Sequence, residues 1–228
     1  MIPEFAPLGD CGVRALFAEV PGPRVTSAIV RFCRALAADP PPGISEWVPA
    51  SATVAVYYRP WQTDYDALCL ALTRRARRRP PQSLAEDGPH LVEIPVCYGG
   101  AFGPDLEDVA ALHGLTPAEV IRWHSSPRYR VLFLGFLPGF AYLTGLPPGL
   151  ATPRLDTPRQ SVPAGAVGIG GAQTGVYPLD SPGGWRIIGR TPCLLFDSDR
   201  EPPALLRAGD RVRFVPVPEA EFEARTRG

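Results

Sequence analysis

Gly135-Phe136-Leu137-Pro138-Gly139-Phe140-Ala141-Tyr142-Leu143, then Pro163-Ala164-Gly165-Ala166-Val167-Gly168-Ile169-Gly170-Gly171, then Ser181-Pro182-Gly183-Gly184-Trp185-Arg186-Ile187-Ile188-Gly189 all fall between Leu132 and Pro192. Glycine and proline recur every few residues there, with aromatic and β-branched residues between them. Glycine supplies the positive φ that tight turns need, proline fixes φ and removes a ladder donor, and the residues between favour pleated strands. A barrel of short strands follows from that punctuation. Strands are expected over Arg130–Phe136 and near 160–163, 166–170, 174–177, 185–189 and 193–197.

Working outward, Leu91–Tyr98 and Arg211–Pro216 read as further strands. Two short helices lie between. The first starts at Pro104-Asp105-Leu106-Glu107 and stops at Gly114. The second opens on Thr116-Pro117-Ala118-Glu119, a capping box with proline at the first helical position. The tail from Glu219 to Gly228 is charged and expected to fray.

Towards the N-terminus the pattern changes. Val13–Ala18 reads as a strand. Val25, Ile29, Phe32, Cys33 and Leu36 recur at helical spacing over about 24–38. Glu46–Val48 and Ala52–Tyr58 read as strands, and Thr63 or Asp64 caps a helix near 64–78. The order strand, helix, strand, strand, helix predicts an α+β layer of ferredoxin-like type. Residues 80–90 are polar and rich in breakers, a natural linker. The expected division is 1–85 for the α+β domain and 86–228 for the β-barrel domain.

Composition excludes several chemistries. The chain has 228 residues, 45% hydrophobic and 20% charged, with zero formal net charge. All 23 basic residues are arginine. A Schiff-base lysine and a P-loop lysine are therefore excluded. The arginine run Arg74 to Arg79 ends a helix, where cations complement the dipole, so no nucleic-acid partner is expected. No apolar run reaches the roughly 20 residues needed to span a bilayer, so no membrane partner is expected. Met1-Ile2-Pro3-Glu4-Phe5 lacks the basic segment and apolar core of a signal peptide, and a cytoplasmic location is expected. Five cysteines and three histidines show no metal-ligand spacing, so no metal is implied. Cys97 alternates with Ile94 and Val96 and reads as a core thiol rather than a nucleophile.

The candidate site residues cluster in and beside the opening stretch. Arg154 and Arg159 sit in Pro153-Arg154-Leu155-Asp156-Thr157-Pro158-Arg159. That rigid segment can present guanidinium forks to a carboxylate or phosphate, or pair with Asp156, Asp180 or Asp197. Gln173 offers an amide to a planar ligand or stabilises a turn. Tyr177 and Arg190 are the remaining fixed polar groups. His124, near a helix end, is either a general acid–base or a helix-terminal structural residue. Phe136, Phe140, Tyr142 and Trp185 divide between barrel core and cleft wall. Gly168-Ile169-Gly170-Gly171 lacks the following helix of a phosphate loop, and its glycines read as barrel corners.

Several of these segments resemble the KipI family, also known as the B subunit of the prokaryotic 5-oxoprolinase or the allophanate hydrolase subunit 1 domain. They are Ile94–Gly100, Gly103–Glu107, Gly135–Leu143, Pro153–Leu155, Thr157–Arg159, Gln173–Pro178 and Ser181–Trp185. The resemblance implies that the barrel is cyclophilin-like. It implies a KipA-type partner (the C-type subunit) and a LamB/YcsF-type partner (the A-type subunit). Together these open 5-oxo-L-proline to L-glutamate, with ATP bound mainly by the other subunits. On that basis Arg154 or Arg159 is expected to clamp a carboxylate, and Gln173 and Tyr177 to orient a lactam, in a site shared with the KipA-type partner. The alternative it implies is a regulator that inhibits a sensor histidine kinase. One departure is Ala166, where the family pattern has serine after Pro-Ala-Gly; alanine preserves small size at a strand start.

Overall fold

The computed structural model describes residues 1–20, 22–78 and 90–226. The chain divides into two compact units, Met1–Pro89 and His90–Gly228. The expected boundary between residues 85 and 86 falls in 79–89, outside the described residues.

The first unit is a four-stranded antiparallel sheet with two helices. Its elements are β1 (Glu4–Pro7), β2 (Gly12–Leu16), α1 (Pro23–Ala38), β3 (Ile44–Pro49), β4 (Thr53–Tyr58) and α2 (Tyr65–Arg77), and the strand order is β1-β2-β4-β3. Strand alternation places Val13, Ala15, Val54 and Val56 on one buried face. Ile29, Phe32 and Leu36 of α1 and Leu68 and Leu72 of α2 fill the core against that face. Each such side chain contributes about 1.5–3 kcal/mol by leaving water. Asp64 starts α2 by accepting from the Ala67 N–H at 2.8 Å. The arginines that end α2 turn back on the end of α1: Arg75 and Arg78 reach the Asp39 carboxylate at 3.0 and 2.8 Å, and Arg75 also donates to the Asp39 carbonyl. Cations thus meet the negative end of the α1 dipole.

The second unit is a closed barrel. Its elements are β5 (Leu91–Tyr98), α3 (Leu106–His113), α4 (Pro117–Ser125), β6 (Tyr129–Leu134), β7 (Ala141–Thr144), β8 (Arg159–Val162), β9 (Ala166–Gly170), β10 (Gln173–Val176), β11 (Ser181–Gly183), β12 (Arg186–Arg190), β13 (Arg211–Pro216) and α5 (Glu219–Thr226). The barrel runs β10-β7-β6-β13-β5-β12-β9 and closes through β9 and β10. Six of the seven pairings are antiparallel, and β13 lies parallel to β5. A separate two-stranded ribbon joins β8 and β11. One core links Ile94, Val96, Val131, Leu143, Ile169 and Phe214 of the strands with Val109 and Val120 of α3 and α4. The capping box on α4 is complete, with Thr116 and Glu119 each accepting from the other's backbone N–H.

Two expectations are corrected. Residues 193–197 form no strand; only an isolated bridge joins Phe196 to Ala204. The opposing segment carries Pro202 and Pro203, which have no N–H for a ladder. The tail does not fray over Glu219–Thr226 but forms α5, because Phe222 is buried against Phe102 at a ring separation of 4.7 Å.

Candidate functional site

A cleft of about 250 Å³ opens beside the β8–β11 ribbon. It is lined by an aromatic cluster in which Phe140, Tyr177 and Trp185 are buried and Tyr142 is half-buried. Phe140 meets Tyr177 and Trp185 edge to face at 5.2 and 5.5 Å, and lies tilted 4.8 Å from Tyr142. Such edge contacts fix ring orientation as well as burying area. Glycine lets the rings come this close to the backbone. A Cβ on Gly170 would fall 2.4 Å from the Trp185 indole nitrogen, and one on Gly183 would fall 2.5 Å from the Tyr177 hydroxyl.

The rim comes from the turn between β6 and β7. Phe136 adopts φ of 72°, the left-handed region that non-glycine residues seldom enter, and is 60% exposed. Its ring stands edge-on to Phe140 at 5.5 Å. A hydrogen bond from the Gly135 N–H to the Phe140 carbonyl closes this turn at 3.1 Å.

Arg154 is the cation of the cleft. Its guanidinium carbon lies 6.0 Å from the centre of the Trp185 ring, a cation–π distance. The Leu155 N–H donates to the Gly184 carbonyl at 2.7 Å and pins the segment to the cleft's glycine turn. Burial raises the hydroxyl pKa of both Tyr142 and Tyr177, and Arg154 opposes the rise at each. The Trp185 backbone N–H also donates to the Tyr177 hydroxyl. Both phenols therefore remain protonated at neutral pH. The ten lining residues include no thiol, carboxylate or imidazole. A neutral aromatic cleft with one guanidinium and two phenols suits a small, flat, anionic molecule. Its lining supplies no nucleophile.

The other expected residues are placed elsewhere. Arg159 follows the lining residue Pro158 and donates to the buried Asp105 carboxylate at 2.7 Å, a partner none of the sequence expectations named. Gln173 begins β10 opposite Gly170, and Arg190 ends β12, where its Nε donates to the Ala164 carbonyl at 2.8 Å. Neither lines the cleft. Ala166 is fully buried in the aromatic cluster, and its carbonyl accepts from the Tyr177 N–H.

His124 lies in the barrel core, 0% exposed. Nδ1 is 2.8 Å from the Tyr98 hydroxyl and Nε2 is 2.9 Å from the Thr174 hydroxyl. The ring stacks on Phe214 at 4.6 Å. The expectation of an acid–base role finds no support in this placement, because both nitrogens are engaged and neither reaches the cleft. Burial holds its pKa down to about 3, so the ring is neutral. A histidine depressed in the folded state takes up its proton first in the unfolded chain. Its stabilising contribution is complete above the ordinary value of 6.5 and is lost as pH falls towards 3. Chemical denaturation from pH 7 to 4 should show stability falling, and His124→Gln should make that fall shallower, whatever its stability at pH 7.

Among the described residues, no group of three or more His, Cys, Asp or Glu side chains is arranged to hold a metal ion. The Gly168–Gly171 run is not a phosphate loop. Gly168 and Gly170 lie within β9, packed under Trp185, and no helix N-terminus follows them. No described helix is long and apolar enough to cross a membrane.

Comparison with known proteins agrees with this architecture. Residues 3–206 match the family model for the carboxyltransferase domain, subdomain C and D. The chain therefore belongs to that carboxyltransferase-domain family. Within it, the chain is similar to proteins named as the B subunit of 5-oxoprolinase. It is 42% identical to that of Bacillus subtilis strain 168 over 226 residues, covering 95% of this chain and 94% of the relative. It is 51% identical to that of Escherichia coli O157:H7 over 179 residues, covering 78% and 80%. A solved protein designated TTHA0988 superposes with a TM-score of 0.80 at 39% identity, covering 90% of this chain. This chain spans 39% of that longer one.

Proposed function

We propose that this chain is the B-type subunit of an ATP-dependent 5-oxoprolinase. The net reaction opens 5-oxo-L-proline to L-glutamate, with two waters and ATP giving ADP and phosphate. The observation that carries the reading is the cleft itself: one guanidinium over an indole, beside two protonated phenols, in a chain 42% identical over nearly its full length to a protein named as a 5-oxoprolinase B subunit. Arg154 holds the substrate carboxylate through paired charge-assisted hydrogen bonds. Tyr177 and Tyr142 donate to the lactam oxygen, and the aromatic floor excludes water from the ring. Gln173, Arg190 and His124 have no part in this assignment.

The cleft is half of a site. It supplies no nucleophile, and the chain contains no lysine for a triphosphate. A KipA-type protein, the C-type subunit, closes the cleft over the exposed Phe136. A LamB/YcsF-type protein, the A-type subunit, completes the assembly. ATP is bound by those chains, and the complex is cytoplasmic. The barrel is read as cyclophilin-like. The first unit is read as ferredoxin-like, on the support of its order β1-β2-β4-β3, with β1 occupying the edge position that a strand after α2 would otherwise fill.

The expected result with purified proteins is no glutamate from this chain with ATP and 5-oxoproline, and glutamate formation once both partner types are added. Turnover by the single chain, or none by the full set, contradicts the reading.

A further inference from the structure

Asp105 has no part in the assignment above, yet its setting is unusual. It stands at the N-cap of α3, where an aspartate ordinarily accepts from an N–H of the first helical turn. Its side chain makes no such bond. It turns instead to the barrel wall, where Oδ2 accepts from the Ile187 N–H at 2.6 Å and Oδ1 accepts from Arg159 Nη2 at 2.7 Å. The Asp105 N–H donates to the Ile187 carbonyl at 2.9 Å, so the backbone makes the same junction. The carboxylate is only 5% exposed, and Arg159 is 31% exposed. A carboxylate so enclosed is tolerated because both oxygens are engaged, and losing either partner leaves buried charge unpaired.

Both partners lead to the cleft. Ile187 lies two residues beyond Trp185, which forms one wall. Arg159 follows Pro158 and pairs across the ribbon with Gly183, and Pro158 and Gly183 belong to the other wall. Arg159 is not itself among the residues that line the cleft, although its positive charge reaches the Tyr177 hydroxyl and lowers that group's pKa. One buried carboxylate thus joins the strand that follows Trp185 to the ribbon strand that follows Pro158.

We infer that Asp105 and Arg159 form a positioning pair that sets the spacing between the Trp185 wall and the Pro158–Gly183 wall, and so the reach of Arg154 towards an anionic ligand. The inference rests on reading the cleft as the 5-oxoproline subsite. Neither residue touches the ligand; the pair acts through Trp185 and the ribbon.

The test compares Asp105→Asn, Arg159→Met, the double variant and Arg159→Lys in the full chain, alone and assembled with its two partner proteins. In the assembled enzyme each single change should raise KM for 5-oxoproline about tenfold with little change in kcat, since ligand placement and not a transition-state contact is altered. The double variant should be no worse than the worse single one, because both break one junction. Arg159→Lys, which keeps a donor and a charge, should recover most of the loss. In the chain alone, Trp185 emission, taken as the difference from the Trp185→Phe counterpart, should shift to the red and become more open to acrylamide quenching. A lowered Tm with KM and Trp185 emission unchanged would make the pair a plain structural tie and overturn the inference. If the parent complex opens no 5-oxoproline, the substrate reading fails, while Trp185 emission still decides whether the pair sets the wall. Should Asp105→Asn fail to fold, the two Arg159 variants carry the same comparison.

Discussion

Arg154→Met should raise KM for 5-oxoproline in the assembled complex by about 30- to 100-fold, the scale of a lost bidentate charge-assisted pair. Methionine keeps an unbranched stem against the Trp185 face and removes only the charge and the donor fork. Arg154 is exposed and joined to Trp185 through its guanidinium, so the change should leave the thermal midpoint almost untouched. Arg154→Lys should fall between the two. A lysine restores a cation, yet it offers a point charge in place of a planar fork and stacks poorly on an indole. A KM unchanged in Arg154→Met would exclude the carboxylate clamp.

Trp185→Ala should have the largest effect on stability, about 3–5 kcal/mol by denaturant unfolding of the chain, the range for deleting a large buried aromatic. The indole is 4% exposed, packs over Gly170 and meets Phe140, Tyr142 and Tyr177. Removing it opens a void beneath the cleft and takes away the surface under Arg154. Trp185→Phe should cost far less stability because a ring still fills much of the space, while ligand affinity still drops because the stacked surface shrinks. That split separates the indole's packing role from its role under the guanidinium.

Elements defined by local chemistry were legible in the sequence, and elements defined by distant pairing were not. The Thr116–Glu119 box and the Asp64 cap use residues three apart, and both form as the sequence predicts. The strand β1 has four residues ending in a proline, too short for alternation to show; it exists because Phe5 and Ala6 pair with Ala15 and Arg14 of β2. Within the barrel β13 runs parallel to β5, a pairing of segments far apart in the chain that no local pattern encodes. Alternation in Leu194 and Leu195 is real, since the first is exposed and the second buried, but the prolines opposite prevent a ladder.

The site was half legible for the same reason. Arg154 and Tyr177 could be singled out because rigid or glycine-flanked segments carry them, and both line the cleft. Arg159 carries the same local signal, yet its partner Asp105 lies 54 positions away, and Arg159 is not among the residues that line the cleft. His124 looked available at a helix end, whereas the fold places Tyr98, Thr174 and Phe214 around it. The aromatic residues were ambiguous between core and cleft because Phe140, Tyr177 and Trp185 are both at once: buried, with one face towards the ligand space.

A crystal structure of the complete three-protein assembly with 5-oxoproline and a non-hydrolysable ATP analogue tests the central claim most directly. Density for 5-oxoproline is expected between Trp185 and the Pro158–Gly183 wall, its carboxylate on Arg154, with the nucleotide on the other chains. Density for 5-oxoproline outside this cleft, with Arg154 turned to solvent, would contradict it.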